Sequence, residues 1–133
     1  MEKRAIFSIP CPSTATIHGP SLTNDHRGLL LTMTFDDGGS ERVATLLFVK
    51  PRAFRKRAEI YCKSWHIKGS YDTVCEVHDS DWVEELCNDA VAEWRDHWVM
   101  RHFMIYLDSF GCFEVVAESA LLEDSTDKNS GGT

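Results

Sequence analysis

The stretch from Asp79 to Glu118 constrains the fold most, because it carries two different hydrophobic periods in succession. Through DSDWVEELCNDAVAEWRDHW (79–98) the apolar residues Val83, Leu86, Cys87, Ala90, Val91, Trp94 and Trp98 recur at three- and four-residue steps, flanked at the start by Trp82. That spacing describes one face of an α-helix. Asp79 or Ser80 can accept from the free amides of a first turn, and Asp81 with Glu84 has the spacing of an acidic capping box. The period then changes to two in MRHFMIYLDSFGCFEVVAES (100–119), which reads as a β-hairpin. With Ser109, Phe110 and Gly111 as a three-residue loop, Asp108 faces Cys112, Leu107 meets Phe113, Ile105 meets Val115 and Phe103 meets Ala117. One face is then wholly apolar. The other pairs Tyr106 with Glu114, Met104 with Val116 and His102 with Glu118, and a one-residue slip would mix the two faces.

The remaining chain supplies strands for this unit to cover. Ala5 to Ile9 is a short strand candidate closed by Pro10 and Pro12, and the Pro-, Ser- and Thr-rich stretch 10–27 reads as a long surface loop in which only Ala15 to His18 could add a strand-like patch. From Gly28, the residues Leu29, Leu31, Met33 and Phe35 alternate with Leu30, Thr32 and Thr34, as in a strand with one buried face. DDGGS (36–40) is a tight reversal and Arg42 to Val49 the returning strand. The basic run KPRAFRKR (50–57) reads as a solvated connection whose arginines pair with acidic residues elsewhere; an RNA-gripping loop would need a surrounding nucleic-acid module that is not evident. Ala58 to Cys62 and Tyr71 to Val77 read as two further strands. The expected fold is therefore α+β: an antiparallel sheet of six or seven strands packed against one main α-helix (79–98), ending in a C-terminal β-hairpin (100–119). One domain is expected over residues 1–121, with a flexible polar tail at 122–133.

Charge is distributed unevenly. Residues 1–70 hold eleven Lys and Arg against six Asp and Glu, whereas residues 71–133 hold three against fifteen, within a net charge of −7. Such acidity disfavours a general nucleic-acid binder and suits a basic protein partner. The acidic residues of the helix, Glu84, Glu85, Asp89, Glu93 and Asp96, fall opposite its apolar stripe, with Asp79 and Asp81 at its start. The five cysteines are scattered singly, which suggests reduced, packed thiols. The short apolar run after Met1 falls well below a signal peptide, and no stretch reaches the roughly 18 apolar residues of a membrane helix, so a cytoplasmic location is expected.

Signatures of catalysis are missing. The six histidines show no metal-ligand spacing, and there is no nucleotide-binding glycine motif or nucleophile elbow, so no metal, cofactor or catalytic residue is assigned. One alternative ligand site remains on the polar face of the hairpin, formed by His102, Tyr106 and Glu114; an ordinary solvated strand face is the simpler reading. The segments EVHDSDWVEEL (76–86) and RHFMIYLDSFGCFEVVAES (101–119) resemble a group of small bacterial proteins that includes immunity proteins of polymorphic toxin systems. The resemblance covers about a third of the chain and rests on structural motifs. It implies an acidic, cytosolic, antiparallel α+β domain that neutralises a cognate toxin by binding it; the charge distribution adds the expectation of a monomer or homodimer, not an enzyme, that blocks a basic active-site surface. The interface expected from the acidic helix is Glu84, Glu85, Asp89, Glu93 and Asp96, joined by Asp79 and Asp81.

Overall fold

The computed structural model describes residues 1–94 and 98–126, the last two by backbone alone. Among the described residues the chain forms nine strands where six or seven were expected. Strand β1 (Glu2–Ser8) is followed by β2 (Thr16–Asp25), β3 (Gly28–Asp37), β4 (Ser40–Val49) and β5 (Ala53–Arg57). After a short helix α1 (Ser64–Ile67) come β6 (Thr73–His78), helix α2 (Asp81–Asp89), β7 (Arg101–Leu107), β8 (Gly111–Ala117) and β9 (Ser119–Thr126). They assemble into two antiparallel sheets, β1-β6-β7-β8-β5 and β2-β3-β4-β9.

The expected α+β fold, with one sheet covered by one long helix, is therefore incorrect. A second sheet covers the first. Leu29, Leu31, Met33 and Phe35 of β3, with Ala44, Leu46 and Phe48 of β4, share one core with Phe103, Ile105, Leu107, Phe113, Val115 and Ala117 of β7 and β8. The Phe48 and Phe103 rings meet across it with centroids 6.1 Å apart. Two face-to-face sheets remove each other's apolar faces from water, so no helix is needed for that task. The helix accordingly stops at Asp89: Ala90 has left helical geometry (ψ 151°) and no residue of α2 is fully buried. Residues 95–97 of the expected helix lie outside the described residues.

Two chain segments turn the corner between the sheets side by side. β4 passes into β5 through Lys50 (φ 50°), Pro51 and Arg52, while β8 passes into β9 through Glu118. The Arg52 amide donates to the Val116 carbonyl at 2.6 Å and the Glu118 amide to the Val49 carbonyl at 2.9 Å, which ties the two crossings together. The basic run is thus a strand from Ala53 onward, paired with β8 from Ala53↔Val116 to Arg57↔Cys112. The expected strand at 58–62 is instead a 3-10 turn at Glu59–Tyr61.

Residues 16–25 form an edge strand where a surface loop was expected. Its pairing with β3 shifts register between Thr16 and His18 and again between His18 and Ser21. These irregularities accommodate Pro20, which has no amide to donate to a ladder. At the other end, the polar stretch after Leu122 continues β9 along β4 through Glu123↔Thr45 to Thr126↔Arg42, and residues 127–133 lie outside the described residues.

The closing hairpin keeps its faces but not its pairing. Leu107 faces Gly111, Ile105 faces Phe113 and Phe103 faces Val115, two residues away from the expected register. A two-residue shift preserves which side chains point inward. Its cause is Gly111, which is a strand residue here: a Cβ on it would stand 2.1 Å from the Arg57 carbonyl oxygen, so only glycine lets β5 approach. Ser109 takes the left-handed conformation (φ 70°) in its place, its amide donating to Glu59 at 2.8 Å.

Candidate functional site

The acidic segment remains at the surface. The Ser80 hydroxyl caps α2 by accepting from the Val83 amide at 3.1 Å. Asp81 and Glu84 occupy the first turn, where carboxylates complement the helix dipole. Asp79, Asp81, Glu84, Glu85, Asp89 and Glu93 are all exposed, and Asp96 lies outside the described residues. They do not share one continuous helical face, because Glu93 sits past the end of α2 in a 3-10 turn at Ala92–Trp94. The end of the expected apolar stripe is exposed beside them, with Val91 at 61%, and Trp94 and Trp98 at 46% each. The two indoles stack at 6.3 Å, and the Arg52 guanidinium lies 4.5 Å from the Trp98 ring. Carboxylates and aromatics therefore occur together on one stretch of surface.

The polar hairpin face has the opposite character: it is buried. His102, Tyr106 and Glu114 are 2%, 4% and 3% exposed, so this is not a solvated strand face. The shifted register places Glu114 opposite Met104 and diagonal to His102, whose Nε2 lies 2.7 Å from the carboxylate. Arg55, one strand over, donates from Nε and Nη2 to the two carboxylate oxygens at 3.2 Å each. The Arg55 guanidinium stacks 4.0 Å from the Trp82 ring, and Trp82 meets the His102 ring edge-on at 5.2 Å. Nδ1 of His102 lies 2.7 Å from the Ser80 hydroxyl. A chain of contacts thus runs from the cap of α2 to the edge of the sheet.

This arrangement fixes protonation. Burial works against the charged form of Glu114, but the bonds from His102 and Arg55 outweigh it and hold the carboxyl at about 2. Tyr106 does not join that chain. Its hydroxyl donates to Glu59 at 2.8 Å, and burial together with that carboxylate pushes its ionisation up. The three residues expected to act as one site are therefore divided between two clusters.

Two depressions flank the His102 chain. One, of about 240 Å³, is lined by Met1, Arg55, Trp65, Trp82, Glu85 and His102 among others. Another, of about 310 Å³, reaches Ser80 and His102 from the side of Glu76, Asp79, Glu84 and Arg101. Ser80, Arg55 and Trp82 were not candidates for the hairpin site, since a contact across strands and a helix cap leaves no local spacing to detect. Only the opposite charges of Arg55 and Glu114 gave a hint. Among the described residues, no group of three or more His, Cys, Asp or Glu is placed to hold a metal ion, and no helix is long and apolar enough to cross a membrane. Comparison of the chain with protein-family models, with curated proteins and with solved structures finds no match in any of the three.

Proposed function

We propose that this protein works by binding a basic partner protein through α2 and the segment that follows it, and that the partner is a cognate bacterial toxin. The observation that carries the reading is the exposure of six carboxylates between Asp79 and Glu93 next to exposed Val91, Trp94 and Trp98. Clustered carboxylates steer a basic surface into contact, and tryptophans supply large, stiff contact areas of the kind that dominate binding energy. Neither role requires chemistry from the inhibitor. In this reading Asp79, Asp81, Glu84, Glu85, Asp89 and Glu93 stand in for a polyanionic substrate at the toxin's active-site cleft, and the aromatic pair anchors the rim.

The test is binding to the C-terminal domain of a secreted protein encoded immediately upstream. Joint reversal of Glu85→Lys and Asp89→Lys is expected to slow association at least about tenfold at low salt and to flatten its salt dependence. Association that keeps its rate and its salt slope in the reversed variant refutes the acidic-segment interface.

A further inference from the structure

Ser80 stands where strand β6 turns into α2. The turn is made by Asp79 in the left-handed region at φ 57°, which a short Asp side chain tolerates. From Ser80 the contacts run inward without a break: hydroxyl to His102 Nδ1 at 2.7 Å, and His102 Nε2 to the Glu114 carboxylate at 2.7 Å. Their direction follows from the acceptor end. The Glu114 carboxylate, which already accepts from Arg55, offers only acceptors, so Nε2 donates to it; in the tautomer this fixes, Nδ1 accepts from the Ser80 hydroxyl. The Ser80 oxygen also accepts from the Val83 amide at 3.1 Å, which leaves it one lone pair. Trp82 against the ring edge keeps the imidazole from turning away. The depression of about 310 Å³ reaches both Ser80 and His102.

We propose that Ser80, His102 and Glu114 are the nucleophile, base and orienting acid of an acyl-transfer site that takes small uncharged esters from this depression. A nucleophile bonded to a base that is itself held by a third group is the arrangement such catalysis needs. The ring is turned over relative to a serine-protease triad, where Nε2 faces the serine, but either nitrogen can take the proton when the other is held by the acid. In the first half-reaction the Ser80 oxygen bonds to the acyl carbon while its proton passes to Nδ1. Collapse of the tetrahedral intermediate breaks the bond to the alkoxy group, which leaves with that proton. Water then attacks the acyl-serine and gives a proton to Nδ1; the carboxylic acid departs and the proton returns to the Ser80 oxygen. Glu114 stabilises the imidazolium formed in each half. Glu76, Asp79 and Glu84 line the same depression with Arg101, which pairs with Glu76 at 2.7 Å, so the lining keeps a net negative charge that disfavours anionic esters.

The experiment is labelling of the full chain with an uncharged fluorophosphonate, read by peptide mass spectrometry, alongside steady-state hydrolysis of p-nitrophenyl acetate. An adduct on Ser80 and saturable turnover are expected. Ser80→Asn retains a helix-capping acceptor and removes the nucleophile. It is expected to lose the adduct and at least about 100-fold in kcat/KM, with circular dichroism unchanged. Absence of a Ser80 adduct in the folded wild-type protein overturns the assignment and reduces Ser80 to a helix cap. Turnover that survives in folded Ser80→Asn overturns it as well. Labelling of the wild-type chain decides the matter even if the variant does not fold.

Discussion

A carboxylate 3% exposed at the centre of a sheet face persists only because every lone pair that matters has a donor. For Glu114 the donors are Arg55 from one side and His102 from the other. Replacing Glu114 with Ala leaves a guanidinium and an imidazole facing one another without their shared acceptor. The Arg55 side chain is half exposed and is solvated once freed, so the main cost is the buried imidazole left without its acceptor, and we expect Glu114→Ala to lose about 1–3 kcal/mol in chemical denaturation at neutral pH. The pH dependence follows from the sign of the shift. Glu114 is held at about 2 in the folded protein against an ordinary 4.5, so its contribution is complete above 4.5 and is lost as pH falls toward 2. Glu76, lowered by its bonds to Arg101, acts in the same direction. The melting temperature of the wild-type chain should therefore fall across that acidic window, and Glu114→Ala should show a shallower fall. Equal slopes would mean that Glu114 is not the charged group described.

At the scale of elements, the sequence was most legible where a strand has one buried face and a turn with distinctive chemistry. The β3–β4 hairpin closes on Gly38 and Gly39, both at positive φ, with Asp37 facing Ser40, as the DDGGS reversal implies. The inward faces of β7 and β8 were readable for the same reason. Their register was not, because Gly111 served a contact with β5 that no local pattern encodes. The length of α2 differs from its apolar stripe on physical grounds too: helical periodicity shows that a stripe exists and not that a surface is available to bury it. Here the second sheet occupies the inner face, and the stripe past Ala90 is left exposed. Strand β2 was hidden by its proline, which an irregular edge tolerates. The His102 site was legible only in its members, since its geometry depends on the register, on the strand at 53–57 and on the cap of α2 together. Gly111 provides the direct test of that dependence. A Cβ at φ 108° and 2.1 Å from the Arg57 carbonyl forces β5 away from β8. Gly111→Ala is expected to destabilise the protein by about 2–4 kcal/mol. It should also slow fluorophosphonate labelling of Ser80, because Arg55 leaves Glu114 with its strand; unchanged stability would contradict the close approach.

The whole molecule divides into a sandwich that holds itself together and a helical segment carried on its flank. The sheets share one apolar core, and the paired crossings at Lys50–Arg52 and Glu118 join them so that neither opens alone. By contrast α2 has no fully buried residue, and its firmest attachments to the sheet are the Ser80–His102 bond and the contacts of Trp82. Local stability follows buried apolar contact, so the two parts should open at different free energies. Native-state hydrogen exchange measures this residue by residue. The amides of Glu84 and Ala90, which bond back to the Ser80 and Leu86 carbonyls within α2, are expected to exchange at least about 100-fold faster than those of the core strand residues Met33, Ile105 and Val115, a difference of roughly 3 kcal/mol. The two proposed roles of the segment place opposite demands on that difference. A partner could reshape the acidic and aromatic surface without disturbing the core, whereas the Ser80–His102 bond must stay made for acyl transfer. Binding a basic partner should therefore raise protection across α2 and lower the rate of Ser80 labelling, because the partner covers the depression from which the ester enters. Protection of α2 equal to that of the sandwich in the free protein would instead make the helix part of the core unit and remove the basis for treating it as a separate, adaptable surface.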